Sequence, residues 1–292
     1  MSLHAPAGQG PFALLLRCVD RRGIVAAVSG FLSDQSATIL ESSQFGDAAS
    51  NTFYMRTAFG ADDRPLRSLA EMRSTFTPVA ELFDMEWSLH DLSQRPRILI
   101  AVSRFGHSLF DLLHRWRAGV LPVDIVGVLS NHDDMRSFVE WNGLPYHHVP
   151  VIDGDKASQQ RAFMDVVEST RPDLVVLARY MQILSPEMCD ALAGRCINIH
   201  HSFLPSFKGS KPYHQAHARG VKLIGATAHY VTSDLDEGPI IEQSVERVNH
   251  AHPPEALVAM GQDIECRVLA RAVSWHAERR VLLNGSRTVV FA

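Results

Sequence analysis

Residues 97–103 read RILIAVS, 124–131 DIVGVLSN, 173–180 DLVVLARY and 197–202 INIHHS. Each is a short, nearly uninterrupted apolar run, which predicts a strand buried on both faces. Between them lie stretches of helical periodicity, such as 108–119 (SLFDLLHRWRAG) and 158–171 (SQQRAFMDVVESTR). Buried strands alternating with helices imply right-handed crossovers within a parallel sheet, so this region reads as a doubly wound α/β domain. In such a domain, ligands lie at the carboxyl ends of the strands. The region closes with a long amphipathic helix, in which Leu257, Met260, Ile264, Val268, Leu269 and Val273 share one face.

Upstream of it the pattern differs. From Phe12 to His90, strand-like and helix-like segments follow in the order βαββαβ, which predicts a four-stranded antiparallel sheet with two helices on one face. Residues 91–96 (DLSQRP) carry turn formers without periodicity and read as a short linker. The expected division is therefore a small ferredoxin-like unit over residues 10–91 and a larger α/β domain over residues 96–292, consistent with a chain of 292 residues.

Composition narrows the partners. The formal net charge is -4 without a run of like charges, so neither a nucleic-acid stripe nor an anionic-membrane patch is expected, and small molecules remain. Cys18, Cys189, Cys196 and Cys266 form no C-x-x-C pair, which argues against a disulfide framework and a thiolate zinc site. With no signal-like amino terminus and no bilayer-length apolar run, the expected location is the cytoplasm.

The polar residues that interrupt these strands point to chemistry. Alternation along 196–200 places Asn198 and His200 on one face and Ile197 and Ile199 on the other. A carboxamide can donate an N–H to a developing oxyanion, and an imidazole can move a proton near neutral pH, so the pair suits acyl cleavage or transfer. A second strand, 224–232, runs into a loop carrying Asp234, Asp236 and Glu237, any of which could orient an imidazole or a water. The 15 histidines invite a metal reading, but there is no H-E-x-x-H pair, and tandem His200 and His201 on a strand would point to opposite faces; no metal is expected. His201 and His229 read as supporting residues, and His214 and His217 as a polar helix face.

The segment N-I-H-x-S-x-L-P at 198–205, followed 36 residues after His200 by Asp236 in L-D-x-G-P-I, resembles the formyltransferase family. The resemblance extends through 175–186 and covers most of residues 96–290. It implies that Asn198, His200 and Asp236 are the catalytic trio. It also implies that Met181, Gln182, Ile183, Leu184, Thr232, Ser233, Asp234 and Leu235 hold the pterin of a folate, largely through backbone groups. The doubled histidine, the run 211–216, the strand 227–230 and the closing 287–291 resemble a hydrolytic branch of the family that carries an amino-terminal ACT domain. Members of that branch hydrolyse 10-formyltetrahydrofolate to formate and tetrahydrofolate, supplying formate for purine synthesis and balancing the one-carbon pool. The folate is then the substrate and no separate cofactor is implied.

Two further expectations follow from the resemblance. An amino-acid effector would bind at Asp20, Arg21, Arg22 and Gly23, where Asp20 could also serve as a plain N-cap. Edge-to-edge pairing of the antiparallel sheet would give a homodimer or homotetramer. One departure bears on the reaction. Where relatives that use a phosphorylated amine carry a glycine-rich turn, this chain has Ser103, Arg104, Phe105, Gly106, His107 and Ser108, whose bulk opposes close backbone approach to a phosphate. Water is then the expected acceptor. The competing readings are a formyltransferase acting on an amine and a sensor with a dead site, which would have no need of the trio.

Overall fold

The computed structural model describes residues 11–62, 65–204 and 212–292. Pro205 and Lys211 of the motifs above, and the expected domain start at Gly10, lie outside them. Two compact units emerge, one formed by residues 1–95, 278–282 and 289–292 and the other by 96–277 and 283–288.

In the first unit the order is β1 (Phe12–Val19), α1 (Ile24–Asp34), β2 (Ala37–Asp47), β3 (Thr52–Ala61), α2 (Leu69–Leu82) and β4 (Glu86–Asp91). The strands form an antiparallel sheet in the order β2-β3-β1-β4. Phe12, Leu14, Leu16 and Cys18 of β1 pack against Ile24, Val28 and Leu32 of α1 and Met72 and Phe76 of α2, so both helices cover one face. Ser68 starts α2 with a reciprocal capping box to Glu71. Sequence reasoning assigned everything after residue 96 to the other domain, whereas the carboxy-terminal segments group here. Val289 and Phe291 pack on Tyr54, and the buried Arg56 donates to the carbonyls of Glu278 and Arg279, each at 3.0 Å. A buried guanidinium needs such partners, and the returning chain supplies them.

The second unit contains a seven-stranded sheet in the order β11-β10-β9-β8-β5-β6-β7. Its strands are β5 (Arg97–Val102), β6 (Asp124–Ser130), β7 (Tyr146–His148), β8 (Leu174–Leu177) and β9 (Cys196–His200), all parallel. Two antiparallel strands follow, β10 (Leu223–Tyr230) and β11 (Ile240–Arg247). The helices are α3 (His107–Arg117), α4 (Arg136–Trp141), α5 (Lys156–Thr170), α6 (Pro186–Ala191), α7 (Pro212–Ala218) and α8 (Pro254–Ala277). Leu99, Ala101, Leu129, Val175 and Leu177 meet Phe163 and Val167 of α5 and Met188 of α6. Alternation turns Ile98, Ile100 and Val102, all fully buried, to the opposite face, and α8 packs on β9, β10, β11 and α3. A short hairpin, β12 (Val281–Asn284) and β13 (Arg287–Val290), ends the chain.

The chain leaves β5 in one direction through β6 and β7, then returns to the other side of β5 as β8. The reversal between β5 and β8 opens a crevice at their carboxyl ends, where doubly wound sheets bind ligands.

Candidate active site

At this crevice the chain after β5 and the chain after β8 are tied together. The Ser103 hydroxyl donates to Asn131 Oδ1 at 2.7 Å and accepts the Met181 amide at 2.9 Å, while the Ser103 amide donates to the Arg179 carbonyl at 3.2 Å. Arg179 takes a φ of 65°, a left-handed conformation that a side-chain-bearing residue holds only when its surroundings enforce it. The loop 179–184 is thereby fixed beside the end of β9.

From β9, Asn198 and His200 project to one side, as alternation requires, with Ile197 and Ile199 buried on the other. The antiparallel register places His229 of β10 directly opposite Asn198, and Asn198 Nδ2 lies 3.3 Å from His229 Nε2. His229 Nδ1 lies 2.9 Å from its neighbour's carbonyl, that of Tyr230. An atom facing a carbonyl must carry the proton, so Nδ1 donates to Tyr230 and Nε2 is turned toward Asn198 and Asp236.

The loop after β10 brings Asp236 to the same point. Its Oδ1 stands 3.3 Å from His200 Nδ1 and 3.8 Å from His229 Nε2. Burial alone would raise this carboxyl, but the hydrogen bonds and charges of His200 and His229 outweigh burial and hold it well below the usual carboxylate range. Asp236 sits at φ 59°, and its position depends on Gly238. A Cβ on Gly238 would fall 1.8 Å from the Tyr230 carbonyl oxygen, so only glycine lets the loop close onto β10, where the Tyr230 amide donates to the Pro239 carbonyl at 2.9 Å. His200 Nε2 is buried and has no hydrogen-bond partner among the described residues.

These groups border a cavity of about 290 Å³. Its lining includes Asn198, His200 and Asp236 together with Met181, Gln182, Ile183, Leu184, Thr232, Ser233, Asp234 and Leu235, so the structure gathers all eleven residues singled out for this site around one space. Leu177, Cys189 and Val231 add an apolar floor. Met181, Ile183 and Leu235 also line the cavity and remain largely exposed.

Several expectations need correction. The strand ends at His200, so His201 does not point away: its ring stacks on that of His200 with centroids 4.9 Å apart at 28°. Asp20 does not cap α1. Gly23, at φ 98°, occupies that position, and no side chain caps the helix. Arg21 donates to the Leu82 carbonyl and lies 4.7 Å over the Phe83 ring, Asp20 abuts Gly46, and Arg22 is exposed. The long carboxy-terminal helix is not plain packing, because it buries Glu265. His214 and His217 lie on the short α7, and among the described residues no cluster of His, Cys, Asp and Glu could hold a metal ion. Nor is any described helix long and apolar enough to cross a membrane.

Sequence reasoning missed four contributors: Ser103, Asn131, Thr227 and Glu265. Thr227 is buried, donates to the Ser202 carbonyl at 3.0 Å and accepts from the Leu204 amide at 3.2 Å, which anchors the turn after β9. Its place opposite His200 in the register was the available signal.

A switch-point crevice where a carboxamide, an imidazole and an ionised carboxylate line one cavity is an arrangement suited to acyl-group chemistry in an α/β protein. The formyl transferase family model matches residues 96–273, and the chain belongs to that family. Along its whole length it groups with the formyltetrahydrofolate deformylases. The protein of that name from Corynebacterium sp. (strain P-1) is 51% identical over 277 residues, spanning 95% of this chain and 96% of its own. Two solved structures of the same name agree. That from Burkholderia mallei superposes with a TM-score of 0.91 at 54% identity, covering 97% of this chain and 100% of its own. That from Pseudomonas syringae pv. tomato does so with 0.93 at 50% identity, covering 98% and 96%.

Proposed function

We propose that hydrolysis of 10-formyltetrahydrofolate runs through Asn198, His200 and Asp236, with the pterin lodged between residues 181–184 and 232–235. The protein is a hydrolase of one-carbon metabolism that releases formate and tetrahydrofolate from this substrate. The observation that carries the residue assignment is the convergence of the three side chains, from β9 and the loop after β10, on the mouth of one cavity.

Water attacks the formyl carbon. Asp236, held ionised, accepts a hydrogen bond from the incoming water and balances positive charge on His200 through Nδ1. The second N–H of the Asn198 carboxamide and the N–H at His200 Nε2 meet the oxygen as it becomes an oxyanion. Asp236 takes the proton released by the attacking water, and as the C–N bond breaks His200 gives its Nε2 proton to the departing folate nitrogen and regains one from Asp236 through Nδ1, leaving formate. A preset array of donors costs no reorganisation at the moment of reaction, which is where such a site gains its rate.

An amine acceptor is the alternative, and the turn at 103–108 speaks against it: Arg104 and Phe105 are exposed there, and their bulk opposes close backbone approach to a phosphate. Amino-acid regulation at Asp20–Gly23, a homo-oligomer built on the first unit's sheet edge and a cytoplasmic setting belong to the same proposal. The long edge strand β2, with Ile39, Leu40 and Phe45 exposed, supports the oligomer. The test of the central reading is Asn198→Ala. Loss of one oxyanion donor removes about 3–4 kcal/mol of transition-state stabilisation, so kcat should fall roughly a hundredfold or more. Turnover near the parent's, in a folded variant, would exclude the assignment.

A further inference from the structure

Glu265 lies at the centre of α8 with only 1% of its surface exposed. A carboxylate so buried requires partners, and it has three. His107 Nε2 stands 2.9 Å from Oε2, the Tyr213 hydroxyl donates to Oε1 at 2.9 Å, and Arg179 Nε approaches Oε2 at 3.4 Å. Burial by itself would raise the Glu265 carboxyl, yet the His107, Arg179 and Tyr213 interactions prevail and keep it lowered, so it is an anion.

Arg179 is the link outward. Its Nη1 donates to His201 Nδ1 at 2.5 Å, and a guanidinium has no acceptor to offer in return. His201 must therefore present a lone pair at Nδ1 and carry its proton at Nε2. Burial, then the charges of Arg179 and His200, push its pKa down to about 4, so the ring is neutral. That neutral ring lies flat against His200, the side chain that faces Asp236.

We propose that Glu265 is a positioning residue for the deformylation: through Arg179 it fixes the orientation and tautomer of His201, and the stacked His201 ring holds His200 in its pose toward Asp236. The proposal rests on the catalytic reading of His200. Its logic is electrostatic as well as steric. Asp236 from the loop after β10 and His201 from the turn after β9 face His200, while His229 of β10 lies across Asp236 from it and Arg179 from the turn after β8 reaches it through His201. Without Glu265, the Arg179 charge would act uncompensated on the stacked rings of His201 and His200, the second of which carries positive charge in the proposed reaction.

The test uses the full chain with Glu265→Gln and His201→Phe, singly and together, and records kcat, KM and the pH dependence of kcat. Glu265→Gln should lower kcat on the order of tenfold with KM nearly unchanged. It should also move the alkaline limb of the kcat profile to lower pH by on the order of half a unit, a shift that mere loosening of α8 would not produce. His201→Phe keeps a ring for stacking but gives Arg179 no acceptor, so it should also lower kcat. The double variant should be no worse than the weaker single one, because both interrupt one chain of contacts. Parent-like kcat and an unmoved limb in Glu265→Gln would overturn the proposal, as would additive losses in the double variant. Should Glu265→Gln fail to fold, His201→Phe decides alone: parent-like kcat overturns the proposal and a tenfold loss sustains it. His200→Asn separates the two readings. If it is inactive while Glu265→Gln is normal, only the positioning role falls; if it is active, the catalytic assignment itself falls.

Discussion

Substituting Gly238 by alanine adds one methyl group at the position where the loop carrying Asp236 touches β10. That carbon would lie 1.8 Å from the Tyr230 carbonyl oxygen, 2.9 Å from its carbonyl carbon and 3.2 Å from His229 Nδ1. Two of these three neighbours are backbone of a central strand, which cannot step aside as a side-chain tip would. A carbon resting on a carbonyl oxygen needs about 3.3 Å, so the loop must withdraw by roughly 1 Å or more. The withdrawal breaks the Tyr230 amide to Pro239 carbonyl bond and carries away Asp236, two residues earlier. Misplacement of a reacting group by about 1 Å costs on the order of a hundredfold in rate, and overpacking of this kind costs about 1–3 kcal/mol of stability. Gly238→Ala should therefore lose about two orders of magnitude in kcat, read as formate by a coupled dehydrogenase assay, while circular dichroism stays that of a folded chain. A kcat within twofold of the parent would refute the view that the carboxylate's place is set by this close approach.

Asp236→Asn should abolish most turnover, since the amide can neither balance the His200 charge nor polarise water; activity above a tenth of the parent's would count against its role. Because the folded carboxyl is lowered, its contribution to stability is complete above the unfolded value of about 3.9 and is lost as pH falls toward the folded value. The difference in denaturant midpoint between parent and Asp236→Asn should therefore be present at pH 7 and shrink below about pH 4. Ser103→Ala leaves the Met181 amide without its acceptor, a cost of about 1–3 kcal/mol borne by the loop 179–184, which the proposal places against the pterin, so KM should rise on the order of tenfold with a smaller change in kcat. An unchanged KM would show that the loop is held by something else.

The fold is legible in the chain because its signals are local. Apolar runs such as 97–102 can be buried only between two helical layers, and the βαββαβ alternation of residues 12–91 leaves one sheet topology within reach. Asn198 and His200 are readable as a pair because period-two alternation needs no tertiary knowledge. What escapes is whatever depends on where the chain turns or returns. The end of β9 one residue before His201 reverses that ring's direction. Gly238 looks like an ordinary turn glycine until the Tyr230 carbonyl appears beside it. Glu265 shares its helix face with the buried Gly261, Val268, Leu269 and Ala272, and nothing local reveals that Arg179, His107 and Tyr213, from three distant segments, meet it. Likewise, the carboxy-terminal strands carry no mark of belonging with Tyr54 and Arg56.

The most direct measurement is the isotopic origin of the oxygen in the product. With purified protein, 10-formyltetrahydrofolate and oxygen-18 water, and no amine present, each formate should carry one labelled oxygen, and Asn198→Ala and His200→Asn should slow its appearance by two orders of magnitude or more. Absence of formate until an amine is supplied, or label arriving at parent rates in both variants, would contradict the assignment of these residues to a hydrolytic site.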